Sequence, residues 1–331
     1  MELVNPAGFA VDQVFDRLIR RRFFKGVRFD EPAGDPGWFG PDSPVWYVHE
    51  HTPALVLGLG AAAVIETLHP DFAWMGYDHT RGIERIDGVP TGRLDPAGLL
   101  VRGGHSFSFF MAVAYGSTAS AERVTRTVRG MHSNVRGVRP DGRPYDADDP
   151  ETLRWAYATV VWGIATAHER YHPRPLRGAD LDEYYRQFTA VGHALGGTDL
   201  PATKADVDEY LREAVPLMGV TMPTVDLLAA ISPDQNPFVV RPVVGLAQWA
   251  VLDLQPDWAQ RLLRVPRYGM ATTTVRHAAV WAGLNGVQYG AGPLQENRQA
   301  RVRIGAPSPR PIREFFAPRK PSGAGAIRLA S

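Results

Sequence analysis

The chain predicts an all-α fold, and three observations carry that reading. Apolar residues recur at helical rather than strand spacing along most of the 331 residues. Helix starts are marked by a capping residue followed by proline, as at Thr52–Pro53 and Asp149–Pro150. Few segments alternate apolar and polar residues, and no internal repeat interrupts the pattern. No linker divides the helices, so residues 1–305 read as one domain. Residues 306–331, rich in Pro, Gly and Arg, read as a loosely attached tail.

Taken in order, residues 11–24 form a first helix with Val14, Leu18 and Ile19 on one face and arginines opposite. Residues 26–44 are a loop dense in Gly, Pro and Asp. The helix opening at Thr52–Pro53 runs to His69–Pro70 without a polar stripe, which predicts burial on all sides. Residues 71–96 read as irregular. An apolar helix over 97–115 is weakened locally by Gly103–Gly104. The amphipathic stretch 118–135 can be capped by Thr118, carries Glu122 in its first turn and is followed by Gly137. After a turn-rich connector over 139–149, Asp149–Pro150–Glu151 opens the clearest helix, ending near Tyr171. Further helices are expected at 181–195, 204–217, 225–230, 243–252, 258–263 and 272–284.

Composition narrows the chemistry. With 44% hydrophobic and 21% charged residues the chain reads as a soluble globular protein, and a net charge of +1 implies no nucleic-acid partner. Zero cysteines beside ten histidines exclude disulfides, thiolate catalysis, Cys-ligated zinc, iron–sulfur clusters and thiolate-ligated haem. Any metal must be held by His, carboxylate or another non-thiolate ligand. The best membrane-span candidate, residues 53–68, is short and carries Glu66. Residues 20–25 mimic a twin-arginine signal, but no apolar region follows them. The chain is therefore expected to be cytoplasmic, with no membrane partner. It contains no Gly-x-Ser-x-Gly elbow, Walker loop or His-Glu-x-x-His pattern.

Three constellations could carry chemistry. Residues 58–63, Gly-Leu-Gly-Ala-Ala-Ala, approach a dinucleotide fingerprint, with Asp78 about twenty residues on, but no strand–helix–strand rhythm follows. A packed Gly/Ala helix face is the better reading. On a helix, Arg129, His132 and Arg136 share one face and set an imidazole between two guanidiniums. A neutral histidine there suits an iron, and the arginines suit carboxylates such as haem propionates; an exposed cationic face reads equally well. Arg102, His105 and Ser106 fall at i, i+3 and i+4, where Gly103 and Gly104 would let a flat macrocycle approach the backbone. Of the remaining histidines, His69 reads as a helix-end residue and His79 as a loop or site-wall residue, with His168 and His172 at a helix end. An iron triad of two histidines and one carboxylate stays open, since its ligands can be distant in sequence.

Several blocks fall in an order known elsewhere. They are residues 39–46 (Phe-Gly-Pro-Asp-Ser-Pro-Val-Trp), Leu68–His69–Pro70, Asp78–His79–Thr80, residues 128–137 around His132, residues 141–150 (Asp-Gly-Arg-Pro-Tyr-Asp-Ala-Asp-Asp-Pro) and Leu153–Arg154–Trp155. Over roughly residues 10–265 the chain resembles the MpaB-type and rubber oxygenase (latex-clearing protein) catalytic-domain family. The resemblance implies a globin-like helical fold around haem b, with His132 as the iron's proximal ligand flanked by Arg129 and Arg136. It places the distal residues at Arg102, His105 and Ser106, and departs from the family there by histidine for Lys or Arg and serine for threonine. Tyr157 stands where the family often has histidine. Asp78 is the candidate for the family's general base, and His105 for a sixth ligand. The activity so implied is oxidation of a hydrophobic or small organic substrate with dioxygen or peroxide, in secondary metabolism. A non-catalytic haem protein, or a nicotinamide-dependent oxidoreductase using Gly58 to Ala63, are the alternatives.

Overall fold

The computed structural model describes residues 12–13 and 15–307; the tail expected beyond residue 306 falls almost entirely outside them. The fold is all-α, with only two small antiparallel hairpins among the described residues. After a π-helical turn at Asp16–Arg20 that runs into Arg21–Phe23, the helices are α1 (Pro44–Glu50), α2 (Thr52–Glu66), α3 (Pro70–His79), α4 (Pro96–Tyr115) and α5 (Thr118–His132). There follow α6 (Pro150–Tyr171), α7 (Ala179–Ala194), α8 (Lys204–Glu213), α9 (Met222–Ala230), α10 (Arg241–Asp253), α11 (Asp257–Leu262), α12 (Met270–Ala291) and α13 (Gln295–Arg303). The hairpins are β1 (Ile83–Ile86) with β2 (Val89–Leu94), and β3 (Arg136–Val138) with β4 (Pro144–Asp146).

The central helix is α6. Asp149 caps it, its Oδ1 accepting from the amides of Glu151 and Thr152 at 2.9 and 3.2 Å, and Pro150 occupies the first turn where no amide is needed. Its length is buried, and α2 lies along it at backbone contact. A Cβ on Gly58 would stand 2.7 Å from the Gly163 carbonyl oxygen, and one on Gly163 would stand 2.5 Å from that of Gly58. The glycines at 58–63 are therefore helix-packing residues in mid-helix with no strand before them, which overturns the nicotinamide reading.

α4 and α5 follow one another across Gly116 and Ser117 and pack together. Asp95 caps α4, and Ser117 rather than the expected Thr118 caps α5, accepting from the Ser120 amide at 3.2 Å. Gly104 admits the Phe23 ring so closely that a Cβ would collide with it. From the C-terminal side, α10 and α12 close over α2, and α13 returns to the start of the chain. There Arg20 pairs with Glu296 at 2.6 Å. Arg303, almost wholly buried, donates to the carbonyls of Phe29, Asp35, Tyr115 and Gly116. Among the described residues no single helix is long and apolar enough to cross a membrane.

Three expectations are corrected. Residues 71–96 are not irregular: they hold α3 and the β1–β2 hairpin, whose Asp87–Gly88 turn takes positive φ at both residues. The helix of 118–135 stops at His132, because residues 136–138 pair with 144–146 as a strand. And α2 is not buried on every side. Leu55, Gly58, Ala61, Ala62 and Ile65 are buried, whereas Val56 and Ala63 are exposed.

Candidate active site

The bare face of α2 lines an open groove of about 900 Å³, walled also by α3, α4, α9, α10 and α12. Both Thr52 and Thr67 lie in its wall, so the groove follows α2 for about 22 Å at the helical rise. Its walls are aliphatic: Val56, Leu59, Ala63, Leu228, Val244 and Val251. Glu66 and Arg102 are the only charged residues among the described ones lining it, and both lie at the end where α2 finishes and α4 begins.

Glu66 sits in the last turn of α2, in a helix otherwise free of charge. Burial holds its carboxyl up to about 7, against a partial opposing pull from the Arg102 guanidinium and a weaker one from Thr159. The Thr159 hydroxyl lies 3.3 Å from Glu66 Oε1 and 2.7 Å from the Trp155 carbonyl oxygen. A hydroxyl has a single proton to give, and the shorter bond to Trp155 takes most of it. The longer contact leaves Glu66 Oε1 only a weak share of that proton, in line with the small lowering it exerts. Near neutral pH the groove thus holds a carboxyl poised between its two forms beside a permanent cation, which suits proton transfer to or from an apolar substrate. Sequence reasoning treated Glu66 only as a break in an apolar run. A lone carboxylate on a helix with no other charge was the signal that could have found it.

The structure separates the residues that the sequence grouped. Arg102 and Ser106 line the groove, one helical turn apart on α4. His105 does not: it is exposed, its ring 4.9 Å from that of Phe23. Asp78 also lies outside the groove wall. It accepts the Tyr145 hydroxyl at 2.6 Å, and the neighbouring His79 Nε2 contacts the same hydroxyl and the Arg136 carbonyl, tying α3 to the β3–β4 hairpin. In this arrangement Asp78 anchors α3 to the hairpin and does not face the groove.

His132 is the last residue of α5. Its Nδ1 is buried without a hydrogen-bond partner, and burial lowers its pKa, offset in part by Asp148, so the ring is neutral. The expected arginine row does not form. Arg129 lies against Gly196, and Arg136, on β3 rather than on the helix, pairs with Asp146 at 3.0 Å. None of the three lines the groove. His69 Nδ1 and Trp155 Nε1 are likewise buried without partners, their rings 5.5 Å apart. Among the described residues no three His, Asp or Glu side chains gather closely enough to hold a metal ion, so the iron triad is not assembled there.

The family model for the catalytic domain of ER-bound oxygenase mpaB/B' and rubber oxygenase matches residues 46–284, from α1 to α12. The chain belongs to this family. No curated protein and no solved structure matches it. The match covers the groove-lining parts of α2, α3, α4, α9 and α10, and stops short of Val287, Gln288 and Ala291 at the end of α12. As a member of the mpaB/rubber oxygenase family the protein is an oxygenase, which implies dioxygen and a small-molecule substrate as its reactants.

Proposed function

We propose that the chain is a haem b-dependent oxygenase that holds a hydrophobic substrate in the α2 groove, with His132 as the axial ligand of the iron. The observation that carries the substrate side is the groove itself, a largely apolar cleft whose only charges among the described residues, Glu66 and Arg102, are gathered at one end. On the cofactor side, the buried, neutral and unpartnered imidazole of His132 fits an axial donor. Arg136, off the helix and paired with Asp146, does not fit as half of a propionate clamp, whereas Arg129 stays one turn before His132 on α5. Haem bound there supplies the iron chemistry that activates dioxygen, which no side chain of this cysteine-free protein offers.

The chain's own groups do the rest. The aliphatic walls exclude water from the substrate, and Arg102 with Ser106 orients a polar atom at the charged end. Glu66 holds or returns a proton there. Such a site suits oxygenation, oxidative cleavage or cyclisation of a specialised metabolite in the cytoplasm.

Absorbance spectroscopy tests the cofactor. Protein produced with haem supplied is expected to show a Soret band, and His132→Ala to abolish or shift it. A colourless protein indifferent to haem would sink the assignment. A Soret band without oxygen consumption on any hydrophobic substrate would favour a haem carrier instead. Glu66→Gln is expected to keep the band and lose the pH dependence of turnover near 7.

A further inference from the structure

The mouth of the groove is rimmed by side chains that water disfavours. Phe238 and Val239, 82% and 85% exposed, stand on the segment between α9 and α10, with Val243 just inside α10 at 72%. Their chain neighbours Ile231, Asn236 and Val244 line the groove. Val56 of α2 and Val287 of α12 line it too, and both are more than half exposed. Exposed apolar residues are ordinary when scattered, but a contiguous set around an opening marks an interaction surface.

Beside this lip runs a stretch of one charge sign. Residues 258–295 contain no Asp or Glu, and they carry Arg261, Arg264, Arg267 and Arg276. Arg264 and Arg267 are exposed, as are Tyr268 and Met270 next to them. The lip and the basic stretch meet at a second cavity of about 430 Å³, walled by Pro233, Pro242 and Leu246 from one and by Pro266, Tyr268 and Arg276 from the other. There the Arg276 guanidinium lies over the Tyr268 ring at 3.9 Å.

We propose that this face seats on an anionic lipid bilayer, with Phe238 and Val239 inserted and Arg264 and Arg267 against the headgroups. The groove mouth then opens at the membrane, and an apolar substrate enters without crossing water. Apolar and aromatic side chains flanked by exposed arginines are what a bilayer interface selects. A second copy of the chain is the poorer occupant, because residues 258–295 offer facing arginines no counter-charge and Asp234, beside the lip, is already paired with Arg241. The sequence pointed to no membrane partner because it lacks a span, but a peripheral seat needs none. The inference rests on the groove and not on haem, so it stands or falls independently of His132.

Vesicle flotation of the full chain tests it, using phosphatidylcholine alone and an equal mixture of phosphatidylcholine and phosphatidylglycerol. Partition into the mixed vesicles is expected to exceed that into the neutral ones by about tenfold or more at low salt and to fall as salt is added. The double variant Phe238→Asp with Val239→Asp should lower partition at least about tenfold with an unchanged melting temperature, since neither side chain is packed. Arg264→Glu with Arg267→Glu should remove the preference for the anionic vesicles. No partition, or partition indifferent to the Phe238/Val239 variant, overturns the proposal. So does a dimer in analytical ultracentrifugation that the same variant converts to monomer, which would assign the face to a second copy.

Discussion

The two faces of α2 are built from the same kinds of residue and do opposite things. Toward α6 the helix presents Gly58, Ala61 and Ala62, and the backbones touch. Toward α10 and α12 it presents Val56, Gly60 and Ala63, and the space beyond stays open as the groove. Small apolar residues do not by themselves encode contact. They permit a close approach where the facing helix also carries small residues, as Gly163 and Ala167 of α6 do, and otherwise they leave room. The tight face fixes the scaffold and the loose face receives the ligand.

The largest expected effect tests the tight face. Gly163→Val would force a side chain into the Gly58 carbonyl and is expected to cost about 3 kcal/mol or prevent folding, measured by chemical denaturation. Next comes pH, where a core group and a groove group carry opposite signs. His49, fully buried, is held down to about 4 by desolvation, so the unfolded chain takes up a proton near 6.5 that the folded one refuses. Its contribution is whole above 6.5 and lost as pH falls through about 4, up to about 3 kcal/mol. Glu66, held up to about 7 from 4.5, keeps its proton when folded after the unfolded chain has released it, so its contribution is whole below 4.5 and lost as pH rises through about 7. Melting curves should show His49→Phe flattening the acid limb and Glu66→Gln flattening the neutral one. A variant that moved the other limb would break the comparison.

A smaller effect is expected at Asp78. Replacing it with Asn weakens the tie to Tyr145 and should lower stability by about 1–2 kcal/mol while oxygen consumption stays within about twofold. A collapse of activity with normal stability would restore Asp78 as a base. The smallest stability change, within about 0.5 kcal/mol, is expected for Ala63→Phe, whose new ring would extend into the groove. Binding of a fluorescent apolar probe should nevertheless drop about tenfold. If Ala63→Phe unfolds the protein as readily as Gly163→Val, the two faces of α2 do not differ.

Much of the scaffold was legible because its signals are local. Asp149–Pro150 marks the start of α6 and Asp95–Pro96 that of α4, since a cap and a proline act within one turn. The β1–β2 hairpin is marked in sequence only by Asp87–Gly88 between Ile86 and Val89, on strands too short to show alternation. The site was less legible because its geometry is non-local. Helical spacing placed Arg102 and Ser106 together correctly, but the end of α5 is set by a strand pairing that begins only at Arg136, so the same rule failed there. No spacing rule joins Glu66 to Arg102 and Thr159, which come from three helices.

Arg303 gives the fold a direction in time. The carbonyls of Phe29, Asp35, Tyr115 and Gly116 all accept from this one guanidinium, which the ribosome delivers only after every helix before α13. Until then the α4–α5 turn and the loop before α1 keep buried acceptors without a donor, and water must reach them. The last helix thus supplies the donor that the first loop and the α4–α5 turn lack, like a purse drawn shut by the last length of its own cord.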